Sequence, residues 1–122
     1  MGDTKRFELL NSYDGDEMCI VYLIDDGQGN LAIEECSDGL LTQASYGSMG
    51  CVRRLSVPHH QLLPVLRAMG AQGEGAKEML SALFNKQGKR LSDVMDALDA
   101  HGVAYQFAAE VGNDAVFRSS LG

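Results

Sequence analysis

A chain of 122 residues has room for one core, because two domains sharing that length would each be too small to hold together without staples. Its hydrophobic share of 45% and charged share of 22% are those of a globular protein and exclude a largely disordered chain. The formal net charge of -7 argues against a surface built for phosphate backbones and favours basic partners over acidic ones.

In chain order, the first half alternates short apolar stretches with clusters of Gly, Asp and Asn, the pattern of antiparallel strands joined by tight turns. Strands are predicted over residues 5–12, 17–25, 30–36, 40–46 and 51–57, giving a five-strand antiparallel meander. The second strand is apolar without interruption from Met18 to Ile24, so water should be excluded from both of its faces and a central place is expected.

The second half changes to helical spacing. Leu62, Val65, Leu66 and Met69 share one helix face, with Pro64 expected in the first turn, residues 58–60 as a bend and Gly70 as the stop. Met79, Leu80, Leu83 and Phe84 mark a second helix. Ser92 caps a third, which carries Val94, Met95 and Leu98 and ends at His101 and Gly102. Val103, Tyr105, Phe107, Ala109 and Val111 then alternate with other residues, predicting a strand that returns to the sheet. Residues 113–122 show little pattern and read as a docked or frayed tail.

Together these elements predict a single α+β domain over residues 1–122, with the three helices packed on one face of the sheet. The other face then needs the tail, a second subunit or a partner, unless the sheet curls on itself.

No secretory leader or membrane-spanning run is read in the sequence. Cys19, Cys36 and Cys51 form an odd set without CxxC spacing, against a disulfide framework or a structural zinc. A soluble, cytoplasmic protein is expected. His59 and His60 stand at a strand-to-helix junction, where solvated helix-start residues are the simpler explanation than a metal or catalytic pair. A Cys51 and His59 dyad fails on reach, because a strand over residues 51–57 separates them by about 20 Å. His101 suits the negative end of a helix dipole. The acidic clusters at residues 14–17 and 25–30 miss the calcium-loop template and suit hairpin turns. Glu34 and Glu35 point to opposite faces of one strand, as do Arg53 and Arg54 on another, and a buried arginine would need a partner among Glu8, Glu34 and Glu35. No phosphate loop or catalytic signature is present in the sequence.

A strand meander followed by a helix, over residues 5–69, resembles in coarse order the PC4-like and Whirly-like single-stranded nucleic-acid binders. The strands here lack the basic and aromatic residues of such a platform, so the resemblance implies fold order and not nucleic-acid binding. Residues 57–62 and 96–102 are also similar to segments of small uncharacterised bacterial α+β proteins, a likeness that implies no function.

The leading expectation is a non-enzymatic protein-binding module, with a protein partner or a homodimer, neutralising a basic partner as immunity-type proteins do. No nucleic acid, membrane, cofactor, catalytic residue or metal ligand is assigned. The competing expectation is a small-ligand binder or enzyme with a cleft between sheet and helices lined by His59, His60 or Cys51.

Overall fold

In the computed structural model, which describes residues 4–14, 17–38, 50–111 and 114–119, the strand-forming stretches build one antiparallel sheet. β1 (Lys5–Asp14), β2 (Glu17–Asp25), β3 (Asn30–Asp38) and β4 (Gly50–Pro58) follow one another as neighbours. After three helices, β5 (Gln106–Val111) pairs with β4, and β6 (Asp114–Ser119) closes the row on the far side. The expected strand over residues 40–46 lies outside the described residues. The returning strand starts at Gln106, three residues later than its alternation predicts, and part of the expected tail is β6. β2 lies inside the sheet but one strand from its edge, with β3 and β4 at the centre.

Two local features fix the ends of this sheet. The turn between β2 and β3 is tied by the Asp26 carboxylate, which accepts from the Gln28 amide at 2.7 Å, the Asn30 amide at 3.2 Å and the Asn30 side chain at 3.0 Å. These bonds, with that from Gln28 the largest cause, hold the Asp26 pKa below its ordinary value. A carboxylate with a lowered folded pKa stabilises the fold above its unfolded pKa, and the contribution is lost as pH falls through the folded one. Asp26→Asn is therefore expected to melt earlier than the parent chain at neutral pH, with the gap closing in acid. Thermal melts across pH measure it, and a gap that widens in acid would contradict the assignment.

On β1 the register shifts between Glu8 and Leu10, a bulge that turns Leu9 into the core. The Leu9 carbonyl there accepts from the Asn85 side chain at 2.7 Å, and the Lys77 ammonium sits 4.8 Å from the Phe7 ring centre, so a helix grips this edge strand.

The helices are α1 (His59–Ala68), α2 (Ala76–Asn85) and α3 (Leu91–Ala100). Their buried residues Leu62, Val65, Leu66, Met79, Leu80, Leu83, Phe84, Leu91, Val94, Met95 and Leu98 form one core with Leu9, Val21, Leu23, Leu31, Ile33, Leu55 and Val57 of the sheet. By strand alternation these sheet residues all belong to the same face, so the helices cover that face alone.

The chain passes from β4 into α1 without the expected bend, because Pro58, at φ -61, already has the dihedral of a helix N-cap. Pro64 is consequently the sixth helical residue and not a first-turn one, which withdraws a donor from the His60 carbonyl. Full burial of Leu62 and Leu66 either side of it offsets the lost bond. α3 likewise starts before the expected cap: Arg90 is its N-cap, its amide donating to Asp93 Oδ2 at 2.8 Å, and Ser92 lies inside the first turn.

Candidate interaction surface

The two rows of charged residues on β3 and β4 sort onto opposite faces, and the register places Glu34 across from Arg54 and Glu35 across from Arg53. On the helix side, Glu35 is 2% exposed and forms an ion pair with Arg53. Its second oxygen accepts from the Leu91 amide at 3.2 Å, the first amide of α3, where the helix dipole favours a negative group. Burial lowers the Arg53 pKa from its ordinary value, though an arginine remains charged at neutral pH. This pair joins sheet and helix layer.

On the other face, Glu34 is 7% exposed although no described element lies over it. Two arginines wrap it. Arg6 Nη2 donates to one oxygen at 2.6 Å, and Arg54 donates to the other from Nε at 3.2 Å and Nη2 at 2.6 Å. The Arg6 guanidinium also lies 4.1 Å from the centre of the Tyr22 ring, and the Cys36 thiol donates to Glu34 at 3.9 Å. Both arginine side chains remain 51% exposed, so their outer N–H groups point away from the sheet with capacity to spare.

Around this charged node the face is apolar. Register and alternation place Met18, Ile20, Tyr22, Ile24, Ala32, Cys36, Val52 and Ala108 on it, half-buried or, for Val52, 39% exposed. A sheet face that meets only water normally alternates to polar residues, and β2 does not. This face carries both signs with a small negative excess, Arg6 and Arg54 standing against Glu8, Glu34, Asp38 and, at the register position opposite Val52, Glu110. The helical segment is balanced, Arg67, Lys77, Lys86, Lys89 and Arg90 matching Glu74, Glu78, Asp93, Asp96 and Asp99. The negative excess therefore belongs to the strands and their turns, where Glu17, Asp25 and Asp26 lie.

The residues singled out for chemistry do not come together. His59 and His60 are exposed on the first turn of α1, and the His59 amide donates to the Gly29 carbonyl at 2.9 Å. Cys51 belongs to the opposite end of β4, which runs unbroken between them; its side chain lies outside the described residues. Cys19 and Cys36 fall on opposite faces of the sheet, and burial raises both thiol pKa values, which disfavours the reactive thiolate. A groove of about 560 Å³ beside the start of α1 is lined by Asn30, Ser56, Val57, Gln61, Tyr105 and Gln106, with neither histidine among its walls. A second, of about 630 Å³, lies between the end of α1 and α2, lined by Gln72, Glu78, Ser81, Asn85, Lys86 and Gln87. Among the described residues, no group of three or more His, Cys, Asp or Glu is placed to hold a metal ion, and no helix is long and apolar enough to cross a membrane.

Compared with family models, curated proteins and solved structures, the chain matches none.

Sequence reasoning found the arginines and their three possible partners, and the register decides the assignment. It missed the converging Arg6, whose signal was the alternation that puts Arg6 and Glu8 on the same face as Tyr22 and Glu34.

Proposed function

We propose that this protein is a non-enzymatic protein-binding module and that the sheet face over which no described element lies, its open face, is the docking surface. The supporting observation is the apolar field of half-buried Ile20, Tyr22 and Ile24 and exposed Val52, set around a Glu34 carboxylate held by two arginines. A field of this kind, with a rigid charged centre and exposed guanidinium edges, matches the composition of protein interfaces, which are rich in aromatic residues and arginine. The net charge adds a long-range term: a basic protein approaches the strand-end carboxylates faster at low salt. The face itself carries both signs, so packing supplies most of the affinity there.

A photoreactive side chain placed at Val52 tests this reading against one placed at Arg67, on the exposed side of α1. Protein adducts are expected from the Val52 probe and not from the Arg67 probe. Equal yields at the two positions, or none at either, would remove the open face as a docking surface.

A further inference from the structure

We infer that the occupant of the open face is a second copy of this chain, the two sheets stacking face to face about a twofold axis. The inference rests on the docking surface proposed above and names its partner.

Six strands spaced about 4.8 Å apart, six to ten residues long at about 3.3 Å each, present a face on the order of 700 Å². A stable interface of ordinary size buries about 800 Å² on each partner, so one copy of the same face is a matching lid. Shape bears on the spacing too: Ala32 and Ala108, flanking the charged node, are small, which helps two sheets approach the spacing of about 10 Å found in sandwiches.

Charge separates a second copy from a basic partner. A twofold interface brings residue i against j and j against i, so the face must complement itself. Arg6 and Arg54 carry outward N–H groups that Glu34 does not use, and Glu8 and Asp38 on the same face are exposed acceptors. In a stacked pair each copy therefore brings to the other both the donors and the acceptors. A strongly basic partner would leave those guanidinium groups facing cations, whereas the carboxylates that attract it stand mainly at the strand ends.

The sign of the salt dependence distinguishes the two occupants. Copies that each carry -7 repel at long range, so added salt strengthens a dimer held by apolar packing, whereas it weakens a complex with a basic protein. Sedimentation equilibrium of the purified chain between low and high salt is expected to give twice the mass of 13.2 kDa, with a dissociation constant that falls as salt rises. Val52→Lys and, independently, Ile20→Lys are expected to raise that constant by at least about tenfold, with the circular dichroism of the fold unchanged. Val52 is 39% exposed, so its replacement spares the core even if Ile20→Lys does not fold.

A chain that stays monomeric at every salt concentration, while the Val52 probe still yields adducts with another protein, overturns the second copy and leaves the docking surface standing. A dimer indifferent to both lysines overturns the second copy on this face, and the docking surface is then decided by the Val52 and Arg67 probes alone.

Discussion

Glu35→Ala is expected to lower the unfolding free energy by about 3–5 kcal/mol, the range for removing one partner of a buried ion pair. The carboxylate is 2% exposed and answers two demands, the Arg53 guanidinium and the first amide of α3. Without it Arg53, whose side chain is 18% exposed, keeps its charge in a poorly solvated site, and the amino end of α3 loses the acceptor that fixes it to the sheet. Urea denaturation should show a lower midpoint with little change in slope. Glu35→Ala combined with Arg53→Met should recover part of the loss, because the poorly solvated charge that faced Glu35 leaves with the arginine. A single-variant loss below about 1 kcal/mol would mean that water reaches the pair, since that is what exposed ion pairs contribute.

Phe84→Ala is the second large effect, expected to cost about 3–5 kcal/mol through lost apolar burial and the cavity left behind. Phe84 is 2% exposed in the same core as Leu9 of the β1 bulge, in the helix whose Asn85 holds that strand. The damage should therefore spread to the edge of the sheet: amide exchange is expected to quicken at β1 sooner than at β3 or β4. Lys86→Ala, at an exposed position two residues on, serves as the control and should stay within about 0.5 kcal/mol of the parent chain. Equal losses in the two variants would place Phe84 outside the core. For a domain whose whole stability is on the order of 5–15 kcal/mol, either large substitution takes a considerable fraction of it.

Periodicity alone makes the helix layer readable. Leu62, Val65 and Leu66, then Met79, Leu80, Leu83 and Phe84, then Val94, Met95 and Leu98, are all buried in the three helices, because a helix buries one stripe and the stripe is written at a spacing of three and four. Gly70 and Gly102, at φ +90 and +66, end helices as their positions suggest. The apolar run of β2 likewise announces a strand with two apolar faces. Boundaries are less legible. Pro64 reads as a first-turn residue in isolation, but Pro58 supplies a better start and the burial of Leu62 draws the helix through it. Ser92 is a better cap by type than Arg90, yet the Glu35 carboxylate, 56 residues earlier, fixes the start at Leu91. No local rule contains that contact. The surface is legible in its ingredients only: Arg6, Tyr22, Glu34 and Arg54 converge through cross-strand register, which a single strand's pattern does not encode.

The bulge in β1 also bears on how the purified protein behaves when concentrated. Fibre growth by strand addition needs two pairing-competent margins on each unit, one to receive and one to offer. The β1 margin is interrupted at its midpoint, where Leu9 departs from the ladder and its carbonyl is taken by Asn85, leaving only short stretches of regular backbone on either side. Ribbons would then stall after one addition at the remaining margin, and concentrated solutions of the folded protein should stay clear.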